Sequence, residues 1–197
     1  AMDEPPLANP PLLDADVATG DLAAARTAIK AAGYGGEKIV ILNPADVASI
    51  SPFGHVTFDL FKKLGLNVEM EEMDWNTLVT RRSRAEPIGR GGWSVFHNWW
   101  IGTSIADPAI STVVRGLGAK GWAGSYSNET IEALSRQWLS APTEPDRRRL
   151  VTAIHQEALV DVPTILLGRF FIQTAYRKNL TGLLQGTSPY PWNLAWS

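Results

Sequence analysis

Apolar and polar positions change their spacing several times along the first half of the chain. Three short apolar runs have the composition of β-strands: 38–42, 68–73 and 93–96. Three stretches with apolar or alanine-rich faces have helical spacing: 22–32, 52–64 and 75–85. Asp21 precedes the first helix and can cap it. Strands that alternate with helices predict parallel pairing through right-handed crossovers, and therefore an α/β sheet flanked by helices.

The second half of the chain has a different character, with a glycine-rich stretch at 116–126. Two helices and one strand are predicted after it, at about 129–139, 146–160 and 164–171. Asn128 or Ser127 can cap the first of these helices, and Asp146 can cap or enter the second.

The predicted strands of the first half all end in polar or aromatic residues. These ends are Asn43–Pro44, Met73–Asp74 and 98–100. The carboxyl ends of parallel strands lie along one edge of the sheet, and α/β proteins bind their ligands beyond that edge. Asn43 is therefore a candidate ligand-binding residue.

Aromatic residues are concentrated where the third strand becomes a loop. Trp99 and Trp100 are adjacent there, and neighbouring strand residues point to opposite faces, so both cannot lie on one side of a flat sheet. Two indoles at the exit of a strand predict the lining of a cleft. Trp122, in the glycine-rich stretch, is assigned to the same cleft. The alternative is that these rings belong to the core, as aromatic residues usually do.

Composition and charge exclude several functional classes. The chain has 197 residues, 45% hydrophobic and 19% charged, which is typical of one globular domain or one large lobe. A net charge of −2 argues against nucleic acid as a partner. No apolar run approaches the ~20 residues of a membrane-spanning helix. The absence of cysteine excludes disulfides and thiolate metal sites.

The first 20 residues differ from the rest. They are rich in proline, alanine and aspartate and predict an extended linker, and Ala1–Met2 are interpreted as a cloning scar. They contain neither the basic segment nor the apolar stretch of a signal peptide. The predicted folded unit is therefore 21–197.

Few side chains could catalyse a reaction or hold a metal. His55, His97 and His155 lack metal-ligand spacing, and neither a nucleophile elbow nor a phosphate-binding loop occurs. We therefore predict no catalytic residue, no metal and no cofactor. His97 lies near the predicted cleft and is a candidate ligand contact, the alternative being an ordinary histidine at a strand end.

Two other functions stay open. A small α/β hydrolase could use Ser104 or Ser127 as its nucleophile and His97 as its base, although neither serine lies in an elbow motif. A protein-interaction domain could use the tryptophan-rich surface to hold a partner.

Several short motifs follow the order found in one known family. They are Ala24-Ala25-Arg26 through Ala31-Ala32-Gly33-Tyr34, 64–69, the Trp99-Trp100 to Asp107-Pro108 loop, Tyr126-Ser127-Asn128 with Ile131 and Leu134, and 146–149 before Val162-Pro163-Thr164-Ile165. Together they resemble the C-terminal lobe of family 5 extracytoplasmic solute-binding proteins, the peptide and nickel receptors of ABC importers. The resemblance extends over about 21–197.

The resemblance implies a fold, a function and partners. The fold is a type II periplasmic-binding-protein lobe, with a mixed, mainly parallel sheet flanked by helices. The function is that of a periplasmic or lipid-anchored receptor, not an enzyme, which closes two lobes around a small solute and delivers it to a membrane permease. An N-terminal lobe of the same polypeptide would then precede this chain, and 1–20 would be the crossover from it.

One loop departs from the family pattern. Peptide-binding members carry an aspartate shortly after the loop tryptophan, which pairs with the peptide ammonium, whereas Thr103 and Ser104 stand here. Asp107, next to Pro108, matches the later, turn-forming aspartate. An ammonium without its counter-ion loses a charge-assisted hydrogen bond of roughly 1.5–3 kcal/mol. We therefore predict a solute that is not a free-amino peptide, such as a sugar or an acylated or opine-like compound, with Thr103 and Ser104 among its contacts.

Overall fold

The computed structural model describes residues 21–168, 170, 173–184, 186 and 190–197. The linker and scar predicted at 1–20 lie outside these residues. So do parts of the strand predicted at 164–171.

A three-stranded parallel sheet forms the centre of the first half of the chain. Its strands are β1 (Ile39–Pro44), β2 (Val68–Met73) and β3 (Val95–Phe96), in the order β2-β1-β3. Ile39 pairs with Val68, and Ile41 pairs with Val95. Because β1 lies between two neighbours, Val40, Ile41 and Leu42 are buried almost completely. The predicted parallel pairing is confirmed.

In the described part of the chain, five α-helices accompany the strands. They are α1 (Leu22–Ala31), α2 (Ser51–Lys63), α3 (Trp75–Arg82), α4 (Glu129–Ser140) and α5 (Glu144–Asp161). Helices α2 and α3 contact the sheet, whereas α4 and α5 pack on each other. In the part of the chain described, no helix is both long and apolar enough to cross a membrane.

The helix caps agree with the sequence at two positions and differ at a third. Asp21 Oδ1 accepts hydrogen bonds from two backbone N–H groups of α1, and Asn128 Oδ1 accepts one from Ile131, as predicted. Of the two roles predicted for Asp146, it enters α5 in the first turn and does not cap it. Thr143 is the cap, since its Oγ1 accepts the Asp146 N–H at 3.2 Å while donating to the Asp146 carboxylate at 2.6 Å. With Thr143 as its cap, the helix begins at Glu144, two residues before the predicted start.

The buried core lies between the sheet and α3. Val40, Leu42 and Leu78 are at its centre. Partly buried side chains packed around them include Trp93, which precedes β3, and three that lie at or just after the carboxyl ends of the strands: Met73, Trp75 and Phe96. The same packing that builds the core therefore positions the aromatic edge.

The strand predicted at 164–171 does not form in its described residues, 164–168 and 170. Its large apolar side chains are 49–76% exposed: Ile165, Leu166, Leu167 and Phe170. A strand needs a neighbour for its backbone hydrogen bonds. The strands of this region, β4 (Leu180–Thr181) and β5 (Ala195–Trp196), pair with each other instead. The strand prediction is therefore wrong for the described residues, because an apolar composition does not supply a pairing partner.

Candidate ligand-binding edge of the sheet

Asn43 lies at the carboxyl end of β1 and is completely buried. Its Nδ2 donates to Ser51 Oγ at 3.3 Å and to Glu72 Oε1 at 3.4 Å. Its Oδ1 has no hydrogen-bond partner in the described structure and faces Gly54 of α2. Asn43 thus links α2 to the carboxyl ends of β1 and β2. Asn43 itself is not exposed at this edge of the sheet.

His97 follows β3 and is also buried, with 8% of its surface exposed. Its Nε2 lies within hydrogen-bond distance of Thr57 Oγ1, at 2.9 Å, and its ring stacks on Phe53. Burial lowers the pKa of His97, so the neutral ring is the stable form in the folded protein. Within the described structure neither Ser104 nor Ser127 is hydrogen-bonded to His97, so the nucleophile and base of a hydrolase are not brought together.

The adjacent indoles at the exit of β3 have different surroundings. Trp99 is 41% exposed, while Trp100 is partly buried. Trp100 meets Trp122 edge to face, with ring centroids 5.0 Å apart and planes inclined by 61°. Such pairs contribute about 0.5–1.5 kcal/mol beyond the area they bury. Two of the three predicted cleft residues are thus in direct contact.

The loop that carries Trp122 is anchored to α4. An isolated antiparallel bridge joins Leu117 to Ser127, and the Gly118 N–H donates to the Tyr126 carbonyl at 2.7 Å. At the base of the loop the Gly116 N–H donates to Glu132 Oε1 at 2.9 Å. These bonds fix the ends of the loop and hold its indole over the sheet edge.

An arginine at the edge was not singled out from the sequence. The guanidinium of Arg82 lies 4.7 Å from the ring centroid of Trp122, 5.3 Å from that of Phe96 and 5.4 Å from that of Trp75. Trp75 and Arg82 are seven residues apart, so they share one face of α3. That seven-residue spacing was the sequence feature that could have indicated a contact between Arg82 and Trp75. Arg82, its three ring contacts and Trp100 together form a group that we call the aromatic edge cluster: Trp75, Arg82, Phe96, Trp100 and Trp122.

The loop after Trp100 presents neutral side chains. Thr103 and Ser104 lie in a 3-10 turn, Gly102–Ile105, and both are exposed. Asp107 Oδ1 accepts the N–H groups of Ala109 and Ile110, at 2.8 and 3.2 Å. The Asp107 carboxylate is therefore engaged in its own turn, beside the buried Pro108.

Two depressions lie away from the aromatic edge cluster. One of about 50 Å³ lies below the Asp107 turn, against Val151 and Ile154 of α5. The other, shallow and about 320 Å³, lies on α3 beside Arg81 and Arg84. Within the described residues no group of histidine, aspartate and glutamate side chains is arranged to hold a metal ion.

Comparison with known proteins relates this architecture to a family. No family model matches the chain. It is 35% identical over 175 residues to the "Probable peptide ABC transporter periplasmic-binding protein y4tO" of Sinorhizobium fredii, a match that covers 89% of this chain and 33% of that protein. In sequence the chain is thus similar to a periplasmic-binding protein of a peptide ABC transporter, in line with the predicted resemblance to the family 5 extracytoplasmic solute-binding proteins. It spans about one third of the length of this relative.

Solved structures of solute-binding proteins share the fold of this chain. A putative peptide-binding protein, AppA from Clostridium difficile, superposes with a TM-score of 0.63 at 17% identity, over 82% of this chain and 32% of that one. MelB from Agrobacterium fabrum, in complex with stachyose, gives 0.54 at 16% identity, over 74% and 25%. The predicted type II α/β fold and the extracytoplasmic location are confirmed.

Proposed function

We propose that this chain is the C-terminal lobe of a family 5 ABC-importer receptor that binds a small solute and delivers it to a membrane permease. Residues 21–197 form the lobe, and 1–20 connect it to an N-terminal lobe. The name of the relative, a peptide-transporter binding protein, supports the receptor role. In this role the chain binds its solute and does not catalyse a reaction.

One observation carries the proposal: indoles from two loops meet at the carboxyl edge of a parallel sheet, where ligands bind in this class of fold. Trp99 offers an exposed ring, and Trp100 and Trp122 form a packed pair behind it. Ligand sites are mostly apolar and aromatic with a few polar groups. We assign those polar groups to Thr103 and Ser104, with His97 and Asn43 supporting the edge from below.

A second wall is needed to enclose a solute, because ligand sites are concave. We assign that wall to the N-terminal lobe. Large apolar side chains near the end of this chain are exposed: Ile165, Leu166, Leu167, Phe170, Trp192 and Trp196. Their exposure supports a further protein surface that packs against this chain. Patches of this kind mark contact surfaces.

The neutral loop favours a solute without a free ammonium group. Thr103 and Ser104 can donate and accept hydrogen bonds but cannot balance a positive charge. Asp107 is engaged with two backbone N–H groups. N-acylated peptides, opine-like compounds and sugars fit these groups, and the stachyose complex of MelB is a sugar complex within the same fold.

A fluorescence screen on the complete polypeptide encoded by the gene tests the proposal. Alanyl-alanine, its N-acetyl derivative and stachyose are titrated while tryptophan emission and the thermal midpoint are recorded. We expect the N-acetyl peptide or the sugar to bind and alanyl-alanine to bind at least about tenfold more weakly.

Matched tryptophan variants locate the site. Trp99→Ala and Trp100→Ala are expected to weaken binding by tenfold or more, as loss of a stacked aromatic contact does. Trp138→Ala is the control, because Trp138 contacts Arg147 between α4 and α5, away from the edge. Unchanged affinity in both edge variants would refute the assignment of the site.

A further inference from the structure

Three arginines are partly buried in the described part of the chain, and they differ in what balances their charge. Arg81 forms a bidentate pair with Glu71, with Nη2 2.9 Å from Oε1. Arg115 forms one with Glu132, at 2.7 and 2.6 Å. Arg82 has neither a carboxylate nor a hydrogen bond among the described residues, and its Nη1 is buried without a partner. Arg82 is therefore the exception.

The route of the Arg82 side chain explains how the charge reaches the sheet edge. Arg82 is the last residue of α3. Side chains on a helix lean toward its N-terminus, so this long side chain runs back along α3 toward Trp75. Trp75 starts the helix directly after β2, at the carboxyl edge. The guanidinium ends among the rings of Trp75, Phe96 and Trp122.

The aromatic rings compensate this charge only in part. Cation–π contacts attract a guanidinium toward the face of each ring. Ring faces do not replace the conventional acceptors that its five N–H donors require. A buried charged donor without an acceptor is unfavourable. The site therefore holds a positive charge with unused donors, next to the proposed solute surface.

We propose that Arg82 binds the carboxylate of an anionic solute, while Trp100 and Trp122 pack against the apolar part of that solute. This inference rests on the proposed receptor function and narrows its ligand class. A planar guanidinium matches a carboxylate through two parallel hydrogen bonds. One unpaired guanidinium balances one negative charge, which favours a monocarboxylate over a doubly charged phosphate. Thr103 and Ser104 add no opposing carboxylate on the neighbouring loop.

Nitrogen-15 NMR of the Arg82 side chain tests the carboxylate site directly. The 197-residue chain is titrated with sodium acetate, and separately with sodium chloride and with neutral acetamide. We expect the Arg82 Nε–H signal to shift and saturate with acetate at a concentration at least about tenfold below any effect of chloride. Acetamide should leave it in place. An acetate response no stronger than that of chloride overturns the proposal, and so does methyl phosphate binding tenfold more tightly than acetate.

Three variants separate a binding role from a structural one, with tryptophan fluorescence reporting acetate binding. Arg82→Gln should abolish the response, and Arg82→Lys, which keeps the charge but not the planar fork, should weaken it by about tenfold. Arg90→Gln makes the same chemical change at an exposed arginine and should have no effect. Thermal unfolding identifies folded variants, and Arg82→Lys decides the question if Arg82→Gln does not fold. Unchanged acetate binding in a folded Arg82 variant contradicts the assignment.

A matched pair of solutes distinguishes failure of this inference from failure of the receptor function. The complete polypeptide is titrated with N-acetyl-alanyl-alanine and with the amide of the same compound. Tighter binding of the acid, by tenfold or more, supports the role of Arg82. Equal binding of acid and amide overturns that role and leaves the receptor function intact. Binding of no solute in the whole screen, sugars included, counts against the receptor function itself.

Discussion

A Cβ atom at Gly54 would stand 2.6 Å from Cγ of the buried Asn43. Helix α2 therefore packs against the carboxyl end of β1 only because residue 54 has no side chain. Asn43 cannot easily move away, since its Nδ2 is held by Ser51 and Glu72. The contact couples the position of α2, which carries Thr57 beneath His97, to the end of the central strand.

Adding a methyl group at this contact should destabilise the fold. Alanine is a better helix former than glycine by roughly 1 kcal/mol, yet we expect Gly54→Ala to lower the free energy of unfolding by about 1–3 kcal/mol, because the core is overpacked. Urea denaturation measures the change. Gly89→Ala is the matched control, since a Cβ there meets no atom within 4 Å. A neutral or stabilising Gly54→Ala would contradict the geometry.

The ion pair between Arg115 and Glu132 should stabilise the fold at the base of the loop that carries Trp122. Glu132 is buried and accepts from Arg115 and from the Gly116 N–H at the base of that loop. Glu132→Gln leaves the guanidinium without its counter-charge, and we expect it to cost roughly 3 kcal/mol of stability in urea denaturation. Glu86→Gln, at an exposed pair 3.9 Å long, should cost less than about 0.5 kcal/mol.

The same pair predicts a pH dependence. The hydrogen bonds from Arg115 hold the pKa of Glu132 below its usual 4.5. The unfolded chain then takes up the proton first, so the stabilisation is complete above about pH 4.5 and is lost as the pH falls through the folded value. Stability measured against pH should therefore fall less steeply below 4.5 in Glu132→Gln than in the wild type. Parallel plots of unfolding free energy against pH for the two proteins would show that Glu132 does not contribute to the pH dependence.

His97 predicts a second pH effect, at higher pH. Burial lowers the pKa of His97 from its ordinary value of 6.5, so protonation favours the unfolded chain. This contribution to stability is full above 6.5 and falls as the pH drops toward the lower folded pKa. We expect His97→Gln to lose part of the difference in unfolding free energy between about pH 7.5 and 5.5. His55→Gln, at an exposed histidine, is the control and should retain it.

Local patterns were sufficient to predict the sheet and most of the helices. β1 is an uninterrupted apolar run, and Asp21 and Asn128 are capping residues directly before helices, so neighbours in sequence determine these features. The strand predicted at 164–171 depended on a distant pairing partner, which periodicity cannot reveal. The start of α5, by contrast, depends on neighbours in sequence, because Thr143 and Asp146 are three residues apart, and placing the start at 146 left the capping threonine out.

The candidate site shows the same division between local and distant information. The exit of β3 with its adjacent indoles was recognisable because aromatic residues follow a strand directly. Arg82 was missed because its surroundings come from Trp75 on its own helix, Phe96 on β3 and Trp122 in a loop 40 residues away. Only the fold brings these rings around one charge.

A single substitution should change the solutes that the proposed receptor accepts. Thr103 is exposed on the neutral loop, so Thr103→Asp introduces a carboxylate at the edge where a peptide ammonium would need one. A charge-assisted hydrogen bond contributes roughly 1.5–3 kcal/mol, which predicts about ten- to hundredfold tighter binding of alanyl-alanine and no gain for its N-acetyl derivative. Calorimetry on the complete polypeptide measures both. Thr112→Asp, at another exposed threonine, should give neither change, and equal gains in the two variants would show that general electrostatic attraction, not the Thr103 position, is responsible.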